Sequence, residues 1–521
     1  MVGNTASSDR SILGDDPSLK ERVGARAGRF VVVGGAGPAG LTAAYEMTKH
    51  GIPGVVVEKD SVVGGIARTV NAEGWRFDIG GHRFFTKVKE VEDLWHEMMG
   101  DDFLTRPRLS RIYYKGRFYY YPLRAFNALR NLGIFEAFLC VLSYIKARLF
   151  PRPTEESFED YIINKFGQRL YKHFFKTYTE KVWGVPCTEI RAEWAAQRIK
   201  GLSLTSAIIN AVFKPKKQGI KTLIERFEYP RLGPGMMWEK FKDYVEQHGI
   251  EVRMDTEVEK ILWDGNRITG VIVHPKGKDP YEIQATDFIS SMPIKELVAK
   301  MDPPPPDAVR QAAQGLRYRD FLTVALVINE ENLFEDNWIY IHSPDVKLGR
   351  IQNFKNWSPE MVPDLKKTCL GLEYFVFEGD DLWSMSDDAL VKLGEEELLK
   401  LGLIEPGKVE RGWVVRMPKA YPMYDSGYDQ RIKTLRDFLD SVDGLHPVGR
   451  NGMHKYNNQD HSMLTAMLAV RNITGACYDV WSVNVEQEYH EEGEEVSLSD
   501  KRATATGTHI EAPMPATSTG S

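Results

Sequence analysis

Short apolar runs and longer helical repeats alternate along this chain, and their order predicts most of its architecture. Phe30-Val31-Val32-Val33 is apolar and β-branched, which predicts a buried strand, and LTAAYEMTKHG, from Leu41, follows with helical spacing. Val55-Val56-Val57 predicts a second strand. In ESFEDYIINKFGQRLYKHFFKTYTEKVW apolar residues recur at helical intervals, so a helical insertion is expected at about 125–215. Residues 251–275 predict a strand and a hairpin through Asp264-Gly265-Asn266, and Asp287-Phe288-Ile289-Ser290 predicts the strand that returns the chain to its start. Mostly antiparallel strands are expected near 110–122, 318–355, 368–378 and 410–418. The polar run Gly449–Asp460 gives way to an apolar helix expected from Ser462.

This pattern is α/β, a Rossmann-like nucleotide domain with a helical insertion and an antiparallel β-sheet substrate domain. The expected pieces are a disordered leader at 1–28, nucleotide-domain segments at 29–110, 215–300 and 445–485, a substrate region with the helical insertion at 111–214, the antiparallel sheet at 301–444 and a disordered tail at 486–521. A length of 521 residues suits two or three domains.

Composition narrows the setting. With 42% hydrophobic and 27% charged residues and a net charge of −6, the chain reads as an ordinary globular protein with no nucleic-acid partner. Cys140, Cys187, Cys369 and Cys477 lack paired spacing, so neither a metal site nor a disulfide framework is expected, and a reducing cytoplasm is the simplest location. The most apolar later run, Leu132–Phe150, is broken by Glu136, Lys146 and Arg148. It predicts a buried or peripheral membrane-surface helix and no transmembrane segment.

The first candidate chemistry lies directly after the first strand. In Gly34-Gly35-Ala36-Gly37-Pro38-Ala39-Gly40, Gly35 allows the tight turn, Gly37 allows close approach of a pyrophosphate, and Gly40 allows helix–strand packing, with the helix amides facing the phosphates. Glu58, at the end of the second strand, would accept hydrogen bonds from a ribose. Glu58-Lys59, Gly64-Gly65 and Arg68-Thr69 then complete a pattern that resembles the FAD-binding signature of the amine oxidase and protoporphyrinogen oxidase superfamily. Arg68 would offer the pyrophosphate a cation, and Val258 would make a second adenosine contact.

Gly80-Gly81-His82 suggests backbone running against a flat ligand with His82 at its edge, although a histidine here is also commonly structural. Together with Tyr119-Tyr120-Tyr121-Pro122, Lys181-Val182-Trp183-Gly184-Val185-Pro186, Gly349–Pro359 and Asn457–Ile473, it resembles the UDP-galactopyranose mutases, in order and across residues 30–475. That resemblance implies an enzyme using reduced FAD, whose N5 forms a covalent adduct with a nucleotide-diphosphate hexose and contracts a pyranose to a furanose. NAD(P)H is the candidate reductant.

The same resemblance assigns His82 and Arg350 to catalysis. It assigns Arg350, Arg198, Tyr421, Tyr456, Asn356 and, more weakly, Lys176 to the substrate diphosphate and its surroundings, with Trp338 and Tyr340 lining the pocket or filling a core strand. Gly81, Gly449, Arg450, Asn458, Gln459, Asp460 and Ser462 would face the flavin, the helix from Ser462 aiming its amides at the pyrimidine edge. Arg124 departs from the family's glutamine, which fits either a substrate carboxylate or an outward-facing side chain. The sugar, the base and the oligomeric state stay open. So do two rival functions: a redox flavoprotein of the oxidase or desaturase type, and a non-catalytic flavin-binding scaffold.

Overall fold

The computed structural model describes residues 28–121, 125–192 and 226–484. Arg124, Arg198 and nearly all of the two expected terminal tails lie outside them.

Five parallel strands form the central sheet, in the order Leu445–Pro447, Asp287–Ser290, Val31–Gly34, Gly54–Val57 and Glu251–Arg253. Parallel strands buried on both faces need apolar residues at every position, and Val31, Val32 and Val33 split accordingly. Val31 and Val33 pack under the helices Pro38–His50, Lys89–Met99, Gly235–Gln247 and Gln459–Ile473. Val32, Val55, Val57 and Phe288 pack instead against a four-stranded sheet built on the hairpin Thr256–Trp263 and Ile268–Pro275.

The second large sheet has seven strands, ordered Val409–Pro422, Tyr318–Ile328, Thr368–Val376, Arg350–Asn353, Trp338–Ile341, Ser110–Tyr114 and Arg117–Tyr120. Its pairings are antiparallel except where Trp338–Ile341 runs parallel to Ser110–Tyr114. Strand alternation sends Leu322, Ile339, Ile351 and Leu372 into a core that includes Leu390 and Leu398 of the helix Asp387–Lys400. The opposite face carries a cross-strand row in register, Ile112, Tyr340, Arg350, Glu373 and Thr323.

The helical insertion covers one end of that face. Its helices Phe158–Phe166 and Thr177–Trp183 close over Phe158, Ile162, Tyr171 and Trp183. The helical repeat read from the sequence is interrupted by a π-helical turn at Tyr171–Lys176. Such a turn adds residues per turn and rotates the helix beyond it. Two cations tie the insertion to the sheet. Lys181 donates to the carbonyls of Ile341, Ser343 and Leu348 at 3.3, 2.7 and 2.9 Å, and Arg319 donates to the carbonyls of Lys181, Val182 and Phe375.

Candidate active site

The glycine-rich turn is built as a cradle. Gly35 has φ +103°, where an L side chain is strained, and a Cβ on Gly40 would collide with the Gly35 carbonyl oxygen. Gly37 is different, because a Cβ there would meet nothing nearer than Gly65 Cα at 3.8 Å. Gly37 and Gly65 thus face each other without side chains between them, with Pro38 and Ala39 beginning the helix beside them. Gly64 donates its N–H to the Ala36 carbonyl at 2.9 Å and locks the two glycine loops together. Glu58 accepts from the N–H of Ala36 at 2.7 Å and of Asp60 at 2.9 Å, so its carboxylate sits at the turn.

Arg68 is not a free cation, for it pairs with Asp60, a partner that the glycine motif does not announce. Lys59 is exposed and its charge is felt at Glu257. Val258 is buried in the core under the central sheet and its carbonyl accepts from Lys300 at 2.6 Å, so its side chain is spent on packing.

The C-terminal stretch closes the same cradle from the other side. Gly449 has φ +79°, and a Cβ there would lie 2.9 Å from Ala39 Cβ and 4.0 Å from that of Ser462. The last helix starts at Gln459, three residues before the expected Ser462, because Asn458 and His461 form its capping box. Gln459 and Asp460 are therefore first-turn helical residues rather than part of a polar turn. Gln459 Oε1 is buried without a hydrogen-bond partner among the described residues.

Next to the cradle, the seven-stranded sheet presents its polar row. Arg350 pairs with Glu373, which is fully buried and also accepts from Gln352 Nε2 at 2.7 Å. Burial opposes the Arg350 charge, but Glu373 and the surrounding phenols hold its pKa well above the ordinary value. Gly81 crosses directly over this row, since a Cβ there would stand 2.8 Å from Gln352 Nε2. His82 comes next. Burial and the nearby guanidiniums of Arg450 and Arg350 push its pKa down to about 3, so the ring is neutral at physiological pH. Its Nδ1 is buried with no partner among the described residues.

Tyrosines wall the pocket. Tyr421 stacks on Tyr456 with centroids 5.7 Å apart, and the Arg450 guanidinium lies 4.8 Å from the Tyr456 ring. Arg450 is anchored by the carbonyls of Asn457 and Ala420. Tyr178 comes from the helical insertion, 5.4 Å from Tyr340 and stacked at 4.9 Å on His342. Burial raises the pKa of both Tyr178 and Tyr421, keeping them protonated donors. Tyr340 also touches Tyr121 at 5.1 Å, on the side where Arg108 lies 5.4 Å from the Trp338 ring. Burial, followed by the neighbouring charge of Arg83, brings Arg108 down to about 10.

Six sequence-selected residues thus converge, His82, Tyr340, Arg350, Tyr421, Arg450 and Tyr456. Others do not. Lys176 is exposed and acts on Cys187, leaving Tyr178 to face the sheet. Asn356 spends its amide on the carbonyls of Phe334 and Asp336, fixing a loop. Trp338 is a core residue packed on Trp357 and Phe227. Arg83, Arg108, Tyr178, Gln352 and Glu373 were missed. Two of them had a local signal: Gln352 lies two positions from Arg350 on one strand face, and Arg83 follows His82 directly.

Arg350, paired with Glu373, and Arg450 flank a neutral histidine and protonated tyrosines, and Arg108 lies on the far side of Tyr340 with the charge of Arg83 beside it. Such a pocket can bind a multiply charged anion beside a dinucleotide cradle.

Comparison with known proteins gives a consistent fold. A reduced UDP-galactopyranose mutase structure is similar with a TM-score of 0.77 and 20% identity, over 88% of this chain and 97% of that one. A protein from Exiguobacterium sp. 255-15 provisionally named a protoporphyrinogen oxidase matches at a TM-score of 0.63 and 17% identity, over 86% and 99% of the two chains. The 1-hydroxycarotenoid 3,4-desaturase of Flavobacterium sp. (strain P99-3) is 24% identical over 260 residues, 46% of this chain. The chain spans about half the length of that relative, 52%. Residues 38–457 match the flavin containing amine oxidoreductase family, a span that starts at the helix after the glycine turn and takes in the whole seven-stranded sheet and the tyrosine-walled pocket. The chain belongs to that family, which implies FAD as its cofactor.

Proposed function

We propose that the chain is a flavin-dependent mutase that converts a nucleotide-diphosphate hexose from pyranose to furanose. The observation that carries this reading is the pair of half-buried Arg350 with fully buried Glu373, with Arg450 and the Tyr421–Tyr456 stack beside it. An apolar substrate gains nothing from half-buried guanidiniums, whereas a diphosphate repays their desolvation with charge-assisted hydrogen bonds.

The residues fit FAD. The side-chain-free approach at Gly37 and Gly65 suits a pyrophosphate, the helix from Pro38 offers its N-terminal amides, and Gln459 Oε1 and His82 Nδ1, without partners among the described residues, could receive polar atoms of the ring. When bound and reduced, the flavin supplies the nucleophile for the anomeric carbon.

The chain's own residues do the rest. Arg350 and Arg450 would hold the diphosphate and take up its charge as the anomeric C–O bond breaks. Glu373 fixes the Arg350 side chain, which lowers the cost of ordering it. Tyr178 and Tyr421 would donate O–H bonds to phosphate oxygens, and neutral His82 would orient a ring edge without adding charge. NAD(P)H is the reductant proposed.

A net redox reaction is the second reading, favoured by the likeness to a carotenoid desaturase. Dithionite-reduced protein should be incubated with UDP-, GDP- and dTDP-hexoses and the products separated by chromatography. A furanose isomer from one sugar is expected. No isomer from any of them, with turnover only when oxygen consumes electrons, would leave the redox reading in its place.

A further inference from the structure

Exposed apolar surface is concentrated on one helix. Of the ten large hydrophobic residues exposed among the described residues, seven lie between Ile134 and Phe150. They are Ile134, Phe135, Phe138, Leu142, Ile145, Leu149 and Phe150, and the exposure of Ile134, Phe135 and Phe138 reaches 91%, 75% and 58%. Within the helix Ile134–Leu149 they follow helical spacing and form a single outward stripe.

That helix is firmly seated, so the stripe is not a frayed end. Its other face buries Ala137, Cys140 and Ala147. A Cβ on Gly167, in the turn after Phe158–Phe166, would lie 2.7 Å from the Tyr144 nitrogen, so the two backbones are in close contact.

Charge on the helix is distributed by face. Glu136, its one acid, turns inward and is neutralised by Arg169 at 2.6 Å and His173 at 2.9 Å. Lys146 and Arg148 are exposed beside the stripe. At the other end, Lys115 and Arg117 are exposed in the turn between Ser110–Tyr114 and Arg117–Tyr120, and Arg117 reaches the Asn131 carbonyl just before the helix begins. Arg130 is exposed there too. The next exposed acids, Glu155 and Glu156, come only after the helix has ended.

We propose that the helix Ile134–Leu149 docks this protein on an anionic lipid bilayer, its apolar stripe among the acyl chains and its flanking lysines and arginines at the headgroups. A protein partner or second copy would need an apolar surface, but would not need cations at both ends of the stripe. Anionic headgroups do, and each basic residue near the surface adds to the attraction. Among the described residues no helix is long and apolar enough to cross a membrane, so the contact is one of lying on the surface.

The full chain should co-sediment with phosphatidylcholine vesicles containing phosphatidylglycerol and less well with phosphatidylcholine alone. A triple variant, Ile134→Ser, Phe135→Ser and Phe138→Ser, should bind at least ~10-fold more weakly to both. The exposed pair Lys146→Glu and Arg148→Glu should lose the preference for phosphatidylglycerol. Near-ultraviolet circular dichroism checks that each variant is folded. Absence of vesicle binding by the full chain would overturn the proposal, as would unchanged binding of the triple variant. Concentration-dependent dimerisation without lipid, abolished by the triple variant, would assign the stripe to a second copy instead.

Discussion

Taking away the Arg350 guanidinium would leave the fully buried Glu373 carboxylate with Gln352 as its hydrogen-bond donor and no cation paired with it among the described residues. Breaking one side of a buried ion pair costs about 3–5 kcal/mol, so Arg350→Ala would confound binding with folding. Arg350→Lys keeps a cation beside Glu373 but loses the planar fork that grips two phosphate oxygens. On the mutase reading it should raise KM about 10-fold or more for the nucleotide sugar, in steady-state kinetics, while the flavin absorbance stays intact. A fall in flavin content with KM unchanged would move Arg350 out of the substrate site. The sequence could nominate this arginine only by its motif. Its partner could not be read there, because Glu373, 23 positions further along the chain, reaches it through strand register.

At the scale of elements, the glycine turn separates structural from ligand-facing glycines. Gly40→Ala would drive a Cβ into the Gly35 carbonyl and should destabilise the strand–turn–helix unit itself, lowering the thermal midpoint. Gly37→Ala meets no atom of the chain closer than 3.8 Å and should fold normally, yet purify with reduced flavin content because its methyl occupies the cradle. Equal flavin loading of the Gly37 variant and the unmodified chain would show that no pyrophosphate lies there. These elements were legible because β-branched runs, glycine spacing and a terminal strand acid are local. The start of the last helix was misread by three residues because the Asn458–His461 capping box outweighs the apolar pattern that begins at Ser462. The insertion was read as helical, but its π turn at Tyr171–Lys176, which leaves Lys176 in solvent and Tyr178 against the sheet, carries no periodic signature.

At the scale of the whole molecule, three of the histidines among the described residues are held neutral inside the fold. Burial first, with nearby cations, depresses His82, His342 and His454 to about 3. Between that value and the ordinary ~6.5 the unfolded chain binds more protons, so their contribution to stability is complete above about 6.5 and is lost as pH falls. Asp78, raised to about 7 by burial, acts in the opposite sense and favours the fold at lower pH. His454→Gln should therefore flatten the acid side of a plot of urea midpoint against pH by roughly one proton's slope. An unchanged slope would mean that His454 titrates alike in both states. The α/β fold was readable as strands scattered along the sequence, whereas the pocket, drawn from Gly81, Tyr178, Tyr340, Arg350, Tyr421 and Arg450, exists only once those strands have met. That order of assembly has a consequence for synthesis on the ribosome. The central sheet takes its first strand from Val31–Gly34 and its last from Leu445–Pro447, with the helix Gln459–Ile473 packed on top. A nascent chain must leave Asp287–Ser290 unpaired on one side until Leu445–Pro447 has been made, and Val31 and Val33 uncovered by the last helix until Ile473 has followed, and that long interval is when it most needs a chaperone.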